Sequence, residues 1–191
     1  MKLGGIKSGL CVVLAALLTP ALVIAAHSDL LGCDGCHTPH NADILPGVPL
    51  WSGNETTLTF TPYSSATLDA VVGQPDGASK LCLSCHDGAN PDYSWMDPEM
   101  VFTAGELVNS HPISFVYDSG LAALDPGLKD PSQPSTLGGT IAEDLLDPDS
   151  KVQCSSCHDV HTSGIGNHQL RGKDYFSGPG GGELCRMCHI K

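Results

Sequence analysis

The sequence predicts a mostly irregular fold, with short helices and a few short strands, that is organised around something other than a conventional apolar core. Glycine and proline are abundant, at 22 and 14 of the 191 residues, whereas aromatic residues make up only 5%. After the first 25 residues no segment carries the period of a long amphipathic helix. Eight of the cysteines form four C-x-x-C pairs. The bonds that these cysteines make are therefore expected to determine the architecture.

The first 25 residues are predicted to be a secretory signal peptide. Lys2 and Lys7 form a basic start, an apolar run follows over 10–24, and small residues around Ala25 suit signal peptidase. Because the run is short and ends in small residues, a permanent membrane anchor is the weaker interpretation. Cys11 lies inside this segment and is expected to be removed with it. The protein is therefore expected to be exported, to the periplasm or the extracellular space.

The predicted mature domain, residues 26–191, is strongly acidic. Removal of two lysines moves the formal charge from −12 to −14 and leaves eight cysteines and all nine histidines. Such a surface disfavours nucleic acid and anionic membranes as partners, and it suits either a basic docking protein or simply solubility. The length fits one domain.

Each C-x-x-C pair is followed at once by histidine, which is the attachment pattern of c-type haem. The four motifs use every cysteine of the mature chain: Cys33, Cys36 and His37; Cys82, Cys85 and His86; Cys154, Cys157 and His158; Cys185, Cys188 and His189. Two thiols three positions apart lie on one face of a helical turn, where both can form thioethers with one porphyrin. The next residue then brings an imidazole under the ring centre as the proximal iron ligand. We expect four covalently attached haems, with the chain wrapped around them as a multihaem cytochrome.

Zinc and redox-active dithiols are the alternatives. Zinc ribbons also use paired C-x-x-C but do not need histidine after every pair. A thioredoxin-like dithiol normally occurs once, beside a strand–turn–helix pattern that this sequence lacks.

Five histidines remain for the distal side of four irons. An iron with two protein ligands exchanges electrons but offers no open position to a substrate. The predicted distal ligands are His27, His40, His111 and His161, and His168 is left out. Methionine is the rival ligand type, and Met96, Met100 and Met187 rank below histidine.

His37–His40 and His158–His161 each form H-x-x-H. Residues three apart on a helical turn lie side by side, whereas the axial ligands of one iron stand on opposite faces of the porphyrin. His40 and His161 are therefore predicted to reach neighbouring haems, in this chain or in an adjoining subunit.

The local patterns predict short helices over Ser79–His86 and Glu183–His189 and a short strand within Ile113–Tyr117. Pro112 holds His111 away from helical conformation at the entrance to that strand. Residues 125–139 and 177–182 are predicted to be turn-rich linkers.

The chain resembles the bacterial tetrahaem cytochromes of the doubled-CXXCH type, found in anaerobic and metal-respiring bacteria. The resemblance rests on Cys33–Asn41 (CDGCHTPHN), Phe60–Ser64 (FTPYS), Lys80–Gly88 (KLCLSCHDG), His111–Phe115 (HPISF) and Cys154–His161 (CSSCHDVH). Parts of it are also similar to extracellular cytochromes that polymerise into haem-lined filaments. The resemblance implies bis-histidine, low-potential haems in closely stacked pairs, with His27, His40, His111 and His161 as distal ligands. His168 has no place in that pattern.

The function predicted from these observations is electron transfer, without catalysis, to and from donor and acceptor redox proteins. A multihaem reductase is the first alternative, and it would need one open iron with acid–base groups around it. A subunit of a conducting filament is the second, with self-assembly and a distal histidine donated across a subunit boundary.

Overall fold

The structure is a computed structural model. It describes residues 27, 31–45, 48–53, 55–94, 96, 100–103, 106–162, 169–172 and 182–190. The predicted signal peptide, His168 and most of the predicted linker at 177–182 lie outside these ranges.

The regular elements within these ranges are short. In chain order they are β1 (Asp43–Leu45), β2 (Val48–Trp51), α1 (Gly77–His86), β3 (Phe115–Val116), α2 (Ser119–Leu124), α3 (Ile141–Leu145), β4 (Lys151–Val152), α4 (Cys154–Cys157) and α5 (Glu183–Cys188). Single 3-10 turns occupy Pro91–Tyr93 and Glu106–Asn109. The strands form two antiparallel pairs, β1 with β2 and β3 with β4.

Helices are found at both places where the sequence predicts them. The helix predicted over 79–86 begins two residues earlier as α1, and the one predicted over 183–189 ends at Cys188 as α5. Gly88, at a φ of +72°, follows α1, and Gly182, at +84°, precedes α5. Positive φ favours glycine because it lacks a Cβ, so these residues set helix boundaries. The strand predicted within Ile113–Tyr117 is β3, and residues 125–139 contain neither helix nor strand, as expected of a linker.

Two small apolar clusters are buried among the described residues. The larger contains Phe115, Tyr117, Leu121, Ile141, Leu145, Val152 and Met187, and the smaller contains Phe60, Leu83 and Leu107. Met187 lies between the two cysteines of the fourth motif, so the larger cluster anchors α5 to the middle of the chain. The smaller cluster anchors the α1 face that carries Leu83.

A buried polar network joins α1 to α4. Gln153 is only 1% exposed, and its side-chain oxygen accepts hydrogen bonds from the Ser79 hydroxyl at 2.5 Å and the Ser114 hydroxyl at 3.0 Å. Its amide nitrogen donates to Asp76 at 3.0 Å and to Asp147 at 2.8 Å. Every hydrogen-bonding atom of the side chain is thus engaged, as burial of an amide requires. The network fixes the second and third motifs relative to each other.

Candidate haem-binding site

The cysteine motifs share one local structure, a helical turn closed by hydrogen bonds. The backbone N–H of the motif histidine donates to the carbonyl of the first cysteine at 2.9 Å for His37, 3.0 Å for His158 and 2.8 Å for His189. In the second motif the same residues form the last turn of α1. Such a turn places both thiols of a pair on one side, which is the geometry that attachment to a single porphyrin needs.

The described cysteines are all free thiols. None of the eight is joined in a disulfide, and Cys33 and Cys185 are exposed while the others are partly buried. The Cys82 and Cys154 thiols hydrogen-bond each other, so the second and third motifs meet at their first cysteines. This hydrogen bond is the largest cause that raises the pKa of Cys82 and lowers the pKa of Cys154 to about 7.

A segment from elsewhere in the chain holds the first motif in place. In β2, the Leu50 carbonyl accepts a hydrogen bond from the Thr38 N–H at 2.8 Å, and the Ser52 N–H after it donates to the Cys36 carbonyl at 2.9 Å. The motif histidine is therefore flanked on both sides by backbone contacts to one strand. These contacts hold the backbone on both sides of His37 in place, and the segment that makes them is a clamping segment.

The other motifs are held in comparable ways. For the third motif, the Arg171 N–H donates to the Cys157 carbonyl at 2.8 Å, and the Gln169 carbonyl accepts from the Asp159 N–H at 2.8 Å.

The fourth and second motifs each have one such backbone contact. For the fourth, the Lys129 N–H donates to the Cys188 carbonyl at 2.8 Å. For the second, the Phe102 N–H donates to the His86 carbonyl at 2.6 Å. Sequence reasoning missed these clamping segments, since nothing in their composition marks them.

Among the described residues, His37, His86 and His189 of the motifs each lie opposite a histidine from outside the motifs. The ring centres are 5.9 Å apart for His27 and His86, 6.2 Å for His37 and His161, and 6.2 Å for His111 and His189. Each pair combines one predicted proximal ligand with one predicted distal ligand. The two histidines of each pair are far apart in the sequence, so it is the tertiary structure that brings them together.

These separations suit two imidazoles that share one metal ion. Imidazoles on opposite sides of a metal have ring centres about 6.2 Å apart, because each metal–nitrogen bond is about 2.0 Å and each ring centre lies about 1.1 Å from its nitrogen. Face-to-face packing of near-parallel rings would instead bring them to about 3.5–4.0 Å. The rings of His37 and His161 are within 15° of parallel yet 6.2 Å apart.

The histidine hydrogen bonds leave the correct nitrogen free for a metal. Nδ1 contacts an oxygen acceptor at 2.7 Å in His86 (the Met100 carbonyl), 2.8 Å in His111 (the Pro112 carbonyl) and 2.9 Å in His27 (Gln169 Oε1). Because an amide or carbonyl oxygen only accepts, Nδ1 carries a proton in each ring, and the lone pair of the neutral imidazole is therefore on Nε2. Histidines that ligate metals are oriented by this kind of hydrogen bond.

The surroundings of His86 also favour its neutral form. Burial lowers its pKa and outweighs the opposite effect of the hydrogen bond to Met100, while the nearby His27 and His158 lower it further. A metal ligand must be unprotonated at Nε2, so this environment favours ligation. It also places His158 near the second motif.

The remaining predicted ligands are less fully placed. His40 is exposed in the turn after the first motif, and His158 follows α4. His168 lies outside the described residues, whereas its neighbour Gln169 is described and contacts His27. The sequence drew attention to a histidine here, and the residue found to contact a predicted ligand is the glutamine beside it.

Trp51 supplies a further feature beside the first motif. It pairs with His37 through a β-bridge, is 9% exposed, and its indole Nε1–H is the buried side-chain donor that lacks a partner among the described residues. A buried donor without an acceptor is costly. A porphyrin carboxylate would supply an acceptor of the right kind, so the residues present fit haem in donor chemistry as well as in spacing.

The described residues also bear on other kinds of site. No cluster of three or more histidine, cysteine or acidic side chains suited to a metal ion is found there, whereas a haem iron needs only two protein ligands. None of the helices in those ranges combines the length and the apolar character that crossing a bilayer requires.

Comparison with known proteins adds no assignment. No protein-family model matches the chain, and no curated protein matches it.

Proposed function

We propose that this protein is an exported tetrahaem c-type cytochrome that carries electrons between redox partners without acting on a substrate. The observation that carries the proposal is the set of three histidine pairs. In each pair, a histidine that directly follows C-x-x-C faces a histidine from outside the motifs at 5.9–6.2 Å. Ordinary contacts between imidazoles would not by themselves bring a histidine that follows C-x-x-C together with a histidine from outside the motifs in every pair.

The chain's own residues have distinct tasks in this proposal. Eight cysteines attach the cofactors, and the clamped turns aim the proximal imidazoles. The carbonyls of Met100 and Pro112 and the amide of Gln169 fix the tautomers of three ligands. Haem, when bound, supplies an iron that changes by one electron between ferric and ferrous states.

Two histidine ligands on a haem iron would leave no open position for a substrate, which favours a carrier over a reductase. The acidic surface, with a formal charge of −12 for the full chain, favours basic docking sites on the donor and acceptor. The periplasm or the extracellular space is the proposed location.

The decisive experiment is a pyridine haemochrome assay combined with the intact mass of the secreted protein. We expect four haems per chain and a mass that corresponds to cleavage near Ala25. A colourless protein whose thiols hold zinc or disulfides would overturn the proposal. If the reduced protein binds carbon monoxide, one iron is open, and the reductase alternative is favoured instead. Electron microscopy of the secreted material distinguishes a soluble carrier from a filament.

A further inference from the structure

Trp51 lies beside the predicted proximal ligand of the first motif. His37 and Trp51 face each other across an antiparallel β-bridge, and the hydrogen bonds on either side of the bridge are made by their neighbours in the chain. In a pair of this kind the two residues exchange no hydrogen bond themselves, and their side chains project from the same face with Cβ atoms about 4.5–5.5 Å apart. The indole is therefore a neighbour of the His37 imidazole.

The indole N–H of Trp51 is a buried donor without an acceptor. The side chain is 9% exposed, and Nε1 has no hydrogen-bond partner within the described part of the chain. A buried tryptophan N–H usually finds a partner, because an unpaired one has lost its hydrogen bonds to water. A Cβ at Gly53 would lie 3.1 Å from Cζ2 and 3.4 Å from Nε1 of the indole. Glycine at this position thus leaves space beside the nitrogen that another residue would fill.

The sequence around the first motif offers no cationic side chain for an anionic group. No lysine or arginine occurs between Lys7 and Lys80, although the haem proposed for Cys33 and Cys36 would bring propionate groups with it. The propionates are the acceptors that a haem offers to a donor, because its ring nitrogens bind the iron. Hydrogen bonds to a carboxylate are stronger than those between neutral groups.

We infer that the Trp51 Nε1–H donates a hydrogen bond to a propionate of the haem attached at Cys33 and Cys36. Trp51 is then a positioning residue, which holds the porphyrin edge while His37 binds the iron. This inference rests on the proposed function, since it requires that haem. The partial positive charge of the N–H beside the carboxylate favours the reduced iron, so the hydrogen bond should raise the potential of the first haem.

The first test is an NMR measurement on the full, haem-loaded chain with all irons reduced. The indole N–H signal of Trp51 is assigned by its loss in Trp51→Phe. We expect nuclear Overhauser contacts from this proton to the propionate methylene protons of one haem, and that haem should be the one whose thioether bridges belong to Cys33 and Cys36. Contacts to the propionates of another haem, or to protein protons alone, would overturn the inference.

The second test measures the potential of each haem in Trp51→Phe, which keeps an aromatic ring but removes the donor. We expect the potential of the first haem to fall, with the other haems of the same chain as the internal control. If Trp51→Phe does not fold, 3-benzothienylalanine at this position keeps the shape of the indole and lacks the N–H, and the same fall is expected. An unchanged potential of the first haem in the variant that loads haem would overturn the inference.

A third variant keeps the donor and fills the space beside it. Gly53→Ala should displace the propionate and lower the potential of the first haem, whereas Gly73→Ala, where a Cβ would meet nothing within 4 Å, is the matched control. Equal potentials for the two variants would contradict the proposed contact. The haem count of the unmodified protein is measured first, so a failure of the proposed function appears there, before the variants are compared.

Discussion

The Ser79 hydroxyl donates a 2.5 Å hydrogen bond to the side-chain oxygen of Gln153, and the same hydroxyl accepts the Cys154 N–H at 2.9 Å. Ser79 is fully buried on α1, and Gln153 directly precedes the third motif. One hydroxyl therefore couples the helix that carries the second motif to the turn that carries the third. The relative placement of two predicted haem sites depends on this contact.

Gln153→Ala should destabilise the protein. The change leaves the buried hydroxyls of Ser79 and Ser114 without their acceptor, and a buried polar group without a partner costs about 1–3 kcal/mol. We expect a lower Tm in a thermal scan followed by circular dichroism. Gln133→Ala is the control, because it removes the same amide from an exposed position. Equal Tm values for the two variants would contradict a structural role for the network.

His111→Ala should open the iron of the fourth motif. Its ring faces His189 at 6.2 Å, so its removal leaves the metal with one protein ligand and an open position. We expect carbon monoxide to bind one haem in four of the reduced variant and none in the unmodified protein. Added imidazole should restore the low-spin spectrum. A variant that still binds no carbon monoxide would show that another residue occupies that position.

Acid should weaken the contact between Asp76 and Lys151. Burial by itself raises the pKa of Asp76, but hydrogen bonds from Lys151, Gln153 and Ser114 and the charge of Lys151 together hold it below its ordinary value of 3.8. The unfolded chain therefore binds a proton more readily than the folded chain. The stabilisation is present above the ordinary pKa and is lost as the pH falls through the lower folded value.

Asp76→Asn should consequently flatten the acid side of the Tm profile, measured from about pH 6 to about pH 3. Asp69→Asn makes the same charge change at an exposed position and serves as the control. A profile for Asp76→Asn that falls as steeply as that of the unmodified protein would contradict the role assigned to this carboxylate.

The haem-free chain should lack a cooperative thermal transition. The buried apolar clusters among the described residues have only seven and three members, and so small a core offsets little of the conformational entropy that is lost on folding. Reduced protein expressed without the haem-attachment machinery can be compared with the haem-loaded form by circular dichroism. A sigmoidal melting curve for the haem-free protein would show that the polypeptide core suffices.

The local parts of this arrangement follow from sequence, and the long-range parts do not. The C-x-x-C-H spacing predicts helical turns at α1 and α5, because a turn is decided by neighbouring residues. The partner of each motif histidine depends on contacts between distant segments, which residue spacing does not encode. Gln169 and Ser79 illustrate the limit. Glutamine and serine are common on any surface, and only tertiary packing places Gln169 against His27 and Ser79 against the third motif.

The contact between His27 and Gln169 spans 142 residues. A polypeptide that crosses a membrane from its amino terminus delivers His27 early and Gln169 almost last. His86 is delivered between them, so it can meet His27 well before the glutamine that steadies the pair arrives. If the chain is exported as proposed, the second site would therefore form before the residue that steadies it arrives. A chain truncated before residue 169 would keep the predicted ligands His27 and His86 but lose the contact from Gln169 to His27.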